Sequence, residues 1–154
     1  MNAEDHPGAP LPPPLIHAVA LIAGYGVDWL WPLPLPGATW HYAAGALLVA
    51  LAVAVVAAAL GTLRRHGTTV NPRGSASALV ADGPFRFSRN PIYVGLVLAH
   101  LGIALLLGGT WMLLTVVPAV VVMDRLIIAG EERYLTRRFG SVYQDYCRRV
   151  RRWL

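Results

Sequence analysis

The chain has 154 residues, of which 56% are apolar and 14% charged, well short of the roughly 25% charged in ordinary soluble domains. So small a globule cannot hide that much apolar surface, which excludes a water-soluble single domain and calls for solvation by lipid. The net charge is +5 and every basic residue is arginine; beside apolar spans this reads as a topology signal, with no nucleic-acid partner expected.

Residues 1–14, MNAEDHPGAPLPPP, carry Glu4 and Asp5 in place of the positive start of a signal peptide. Their prolines predict an extended or disordered lead-in. Residues 15–154 are read as one integral membrane domain. The first span, 15–31, is interrupted by Asp28 and ended by WPLPLPG, so a shallow or re-entrant helix stays open beside a full crossing. The second span covers 41–63: residues 42–63 carry no formal charge, enough to cross a hydrocarbon core of about 30 Å. Its alanines and glycines suit close helix packing in lipid. Residues 91–123 form a longer uncharged run, which as one helix would reach about 50 Å. A break is expected at Gly108-Gly109-Thr110, giving spans 91–107 and 111–129. Gly95 and Gly102 suit a close helix contact, and Pro118 predicts a kink. His100, inside the third span, is either a functional ionisable group or a neutral histidine bonded to a neighbouring helix.

All 13 arginines lie in the loop 64–89 or from residue 125 onward. Four crossings put both regions and both termini on one side, cytoplasmic by the positive-inside rule. Trp29, Trp31, Trp40 and Trp111 then form an aromatic belt on the other side. The expected fold class is all-α: a polytopic membrane bundle of about four transmembrane helices with both termini cytoplasmic.

Two segments carry candidate chemistry. In LVADGPFRFSRNPIYVG, residues 79–95, Asn90 suits a helix N-cap and Pro91 the first helical position. The third span then opens with free amides and a positive dipole end beside Arg86 and Arg89. Those arginines either grip an anionic group or only meet lipid headgroups. The second segment, DRLIIAGEERYLTRRFGSVYQDYCRRVRRWL, begins with Asp124 and Arg125 and runs into Glu131-Glu132. Neighbouring glutamates on a helix point about 100° apart, so they do not form an acid/base dyad. One is expected to meet a ligand while the other pairs with an arginine; the plainer reading is a solvated helix start. Apolar and aromatic residues at three- and four-residue steps from Tyr134 to Val150 predict amphipathic helices over 130–152, broken at Gly140. Cys147, the single cysteine, excludes an internal disulfide or a Cys-rich metal site and is read as a bystander. No metal site is expected.

In these two segments the sequence resembles the isoprenylcysteine carboxyl methyltransferases and their phospholipid methyltransferase relatives. The resemblance is carried by Gly83-Pro84-Phe85-Arg86, Arg89-Asn90-Pro91-Ile92-Tyr93-Val94-Gly95, Glu131-Glu132, and Phe139-Gly140-Ser141-Val142-Tyr143 with Tyr146. It covers about half the chain, from Thr68 onward. It implies that S-adenosylmethionine binds between the third span's start, the fourth span's end and C-terminal helices that close the pocket. The cofactor contacts it implies are Arg89, Asn90, Tyr93, Gly95, Glu131 and Glu132. It also implies methyl transfer to a small or lipophilic acceptor entering from the bilayer, at the cytoplasmic face of a bacterial inner membrane. Asn90 stands where the eukaryotic relatives usually have histidine, and it cannot act as a general base. Arg125 is assigned as a grip for an acceptor carboxylate or phosphate. Two other classes stay open: a sterol-reductase-like membrane reductase using NADPH, and a non-enzymatic small membrane protein.

Overall fold

A computed structural model describes residues 11–37, 39–68 and 78–154. Most of the proline-rich lead-in, residues 1–10, lies outside the described residues. Helix α1, Pro13–Leu30, begins within its last two residues; proline suits the first turn because its missing amide has no partner there anyway. Helix α2 is Trp40–Arg65, and a single 3₁₀ turn, Gly83–Arg86, leads into α3, Pro91–Leu107. Gly108 ends α3 at φ +71°, a left-handed conformation that favours glycine. The chain returns through α4 (Thr110–Leu114), α5 (Val116–Met123) and a wide π turn, Asp124–Ile128. It finishes with α6 (Ala129–Phe139) and α7 (Ser141–Arg149), separated at Gly140 as expected.

Two helical rods are long and apolar enough to cross a membrane, α2 and the run Thr110–Phe139. The second has 30 residues, about 45 Å at 1.5 Å per residue, so its last third extends past a hydrocarbon core of about 30 Å. That last third is the charged helix α6. Helix α3 has the expected bounds. A kink is expected at Pro118 in the fourth span, and the structure breaks the helix at Thr115, between α4 and α5. Pro118 causes it from three residues further on, since it offers Leu114 no N–H and its ring crowds that carbonyl.

Helix α3 lies along α2, so closely that a Cβ on Gly102 would stand 2.9 Å from the Gly45 carbonyl oxygen. Small residues make such a crossing possible. Helix α1 packs instead on α4, α5 and α3. Asp28, which interrupts the first span, accepts the backbone amides of Trp111 and Met112, each at 3.3 Å. It satisfies orphan amides at the start of α4, which explains a carboxylate at this position. His100 is buried, with Nδ1 3.0 Å from His17 Nδ1 and Nε2 3.0 Å from the Met112 carbonyl oxygen. The reading as a histidine bonded to neighbouring helices holds.

A core of Ile16, Tyr93, Ala119, Met123, Ile127 and Ile128 ties α1, α3, α5 and the π turn together. Beside it, the start of α1, the end of α2, the start of α3 and α6 meet at one end of the bundle. Trp29, Trp31, Trp40 and Trp111 gather at the other end, where Trp111 Nε1 donates to the Trp31 carbonyl at 2.9 Å.

Candidate active site

At the first of those ends the helices enclose a cavity of about 420 Å³, within the range of small-molecule sites. Arg89, Asn90, Tyr93, Glu131 and Glu132 line its polar side, and Val56, Leu60, Leu63 and Leu96 its apolar side. The turn at Asn90-Pro91 and the acidic pair of α6 therefore converge on one space.

The two glutamates divide the work. Glu131 accepts the Tyr93 hydroxyl at 2.6 Å, and no guanidinium is paired with it among the described residues. Glu132 sits between two arginines: Arg89 reaches one of its oxygens at 3.1 Å, and Arg152 grips both, at 3.1 and 2.5 Å. Arg152 also donates to both oxygens of Asp124, at 3.2 Å each. The helical offset between neighbours sends one carboxylate to tyrosine and the other to the guanidinium cluster.

Electrostatics follow this division. Burial pushes the Glu131 carboxyl up to about 7; the Tyr93 hydrogen bond opposes the rise and the charge of Glu132 adds to it. Burial likewise raises the Tyr143 and Tyr146 hydroxyls above their ordinary value, so they remain protonated donors. Tyr146 donates to the Phe85 carbonyl at 2.7 Å. Arg89 carries the remaining open valence. Its Nε is buried and has no partner among the described residues, although the same guanidinium touches Glu132 and the Cys147 sulfur. A buried donor without an acceptor is costly.

Several expectations change here. Asn90 starts α3 without capping it through its side chain; Ser88 Oγ accepts the Asn90 amide at 3.0 Å, while Asn90 Nδ2 donates to the Arg152 carbonyl at 2.9 Å. Gly95 does not line the cavity: a Cβ there would lie 2.4 Å from Val56 Cγ2, so it serves the α2–α3 contact. Arg125 is exposed and outside the cavity lining, because its turn of helix presents Ile127 and Ile128 to the core. Cys147 is half-buried against Arg89 rather than a bystander. Arg152 and Trp153 carry no distinguishing signal. In the sequence they belong to an arginine-rich end that looks like any solvated surface.

A helical bundle with rods long enough to cross a membrane and a charge-lined cavity at one end is the plan of an integral membrane enzyme. Residues 40–142 match the phospholipid methyltransferase family, and the chain belongs to that family. Membership implies methyl transfer at a membrane and does not favour a reductase. The chain is also 40% identical over 63 residues, 41% of its length and the whole of the relative, to an uncharacterized protein of Haemophilus influenzae. No solved structure matches.

Proposed function

We propose that this protein transfers a methyl group from S-adenosylmethionine to a lipophilic acceptor, and that the cavity at the α3–α6 junction holds the cofactor. The observation that carries this is the shared wall of the cavity, on which Arg89, Tyr93 and Glu131 lie together, with no guanidinium paired to Glu131 among the described residues. A donor and a carboxylate in one small cavity suit a zwitterionic amino-acid group: Arg89 would hold its carboxylate and Glu131 its ammonium. The cofactor supplies an electrophilic methyl on a sulfonium centre. The chain's own residues bind, align and keep water out, which suffices for a displacement that disperses charge.

The acceptor side is apolar. Pro13 and Pro14 of α1 and Val56, Leu60 and Leu63 of α2 all line the cavity, yet α1 and α2 share no extensive contact. That seam supports entry of a lipophilic molecule sideways from the bilayer. The excess of arginine in the loop and tail supports a cytoplasmic orientation with four crossings and both termini inside.

Equilibrium binding of radiolabelled S-adenosylmethionine and of NADPH to the detergent-purified protein tests the cofactor. Saturable binding of the first and none of the second is expected; no S-adenosylmethionine binding at millimolar ligand overturns the reading. Mass spectrometry of lipid extracts incubated with the enzyme and trideuteromethyl-labelled cofactor should then show labelled acceptors.

A further inference from the structure

We infer that residues 151–153 form a strap that completes the cavity, and that Arg152 within it is a positioning residue for the cofactor site. This rests on the cofactor reading above. The family match ends at residue 142, so the strap lies beyond what membership accounts for. After α7, Val150 turns extended, at φ −125° and ψ 130°, and the chain runs back across the start of α3. There the Arg89 amide donates to the Arg151 carbonyl at 3.0 Å, and Asn90 Nδ2 takes the Arg152 carbonyl. Trp153 packs against the core and donates through Nε1 to Asp124 at 3.2 Å.

Arg152 thus ties α3 through its carbonyl, and the π turn and α6 through its side chain. Its planar fork matches the geometry, two bonds on Glu132 and two on Asp124; a lysine ammonium cannot span both. Arg152 does not itself line the cavity, so it acts through Glu132. With Arg152 in place, both oxygens of Glu132 are engaged and Arg89 reaches just one of them. Arg89 is thereby held on the cavity wall by a single contact to Glu132, with the rest of its fork not committed to that carboxylate. Remove Arg152, and the unsatisfied Glu132 carboxylate draws Arg89 into a two-point pairing, because an uncompensated charge there is costly. That pairing turns the Arg89 fork away from the place it holds on the cavity wall.

The test uses Arg152→Ala and Arg152→Lys in the full chain. Cofactor Kd and KM should rise tenfold or more for Arg152→Ala and by less for Arg152→Lys, while kcat at saturating cofactor stays within about threefold. Hydrogen exchange at the Arg89 amide should quicken as the strap loosens. Wild-type Kd with unchanged exchange at Arg89 overturns the proposal. So does a fall in kcat at constant KM, the mark of a merely smaller folded fraction. Should Arg152→Ala fail to fold, Arg152→Lys decides by the same readouts. If the wild-type protein binds no S-adenosylmethionine, the cavity reading fails, and the exchange at Arg89 still judges the strap.

Discussion

Glu131 and Glu132 are adjacent in the chain and opposite in circumstance, and their difference is the main lesson at the scale of the residue. Glu132 is neutralised by two guanidiniums, whereas Glu131 faces a tyrosine hydroxyl inside the cavity. The folded Glu131 titrates near 7, above its ordinary value of 4.5. Its protonated form is therefore favoured by folding, and the stability this provides is present below pH 4.5 and lost as pH rises through about 7. Cofactor binding has the opposite sign, because a cation prefers the ionised carboxylate. Affinity for S-adenosylmethionine is expected to climb between pH 6 and 8, measured by equilibrium dialysis, and to be flat in Glu131→Gln. That variant should also bind tenfold or more weakly at pH 8, about 1.4 kcal/mol. In Tyr93→Phe the hydrogen bond that lowers the Glu131 value is gone, so the same profile should shift to higher pH; an unshifted profile would separate Tyr93 from this role. The residue types were legible in the sequence, and so was the prospect that one glutamate pairs with an arginine and its neighbour does not. Which glutamate does which was not, because that depends on the π turn that sets the phase of α6.

At the scale of the element, glycines and one aspartate fix how the helices meet. A side chain on Gly95 has no room, with Val56 Cγ2 already at 2.4 Å from where its Cβ would stand. Gly95→Leu should force α2 and α3 apart, costing about 1–3 kcal/mol, read as a lower melting temperature in detergent and as loss of cofactor affinity, since both helices line the cavity. Wild-type melting would show that the crossing is looser than described. Asp28→Ala removes the acceptor for two amides at the start of α4 and should cost about 0.5–2 kcal/mol, with cofactor affinity unchanged because the cap lies at the far end of the bundle. Helix existence was readable from hydropathy, from Asn90-Pro91 and from Gly108; the fourth span, expected over 111–129, instead runs on through the π turn to Phe139. The cap by Asp28 was not, because its partners lie 83 and 84 residues away in the chain.

At the scale of the whole molecule, the cavity and the tryptophan belt occupy opposite ends of the bundle, which gives orientation a direct measure. In a Cys147→Ser background, Arg137→Cys on α6 should react with a membrane-impermeant maleimide only in inside-out vesicles, and Trp31→Cys only in intact cells. Labelling of both from one side would end the four-crossing arrangement. Composition and the spacing of apolar runs by themselves determined that the chain is helical and bound for a membrane, because lipid tolerates no unpaired backbone and each crossing needs a fixed length of apolar residues. The motifs around Asn90 and Glu131 also named most of the cavity's polar wall. Only the tertiary structure decided between the helix contact and the cofactor contact that the sequence offered for Gly95, and showed that Arg125 faces outward and that Arg152 and Trp153 return to hold Asp124 and Glu132. Those outcomes depend on which helix faces meet and where the last residues dock, and such long-range geometry leaves no periodic trace in a single strand of sequence.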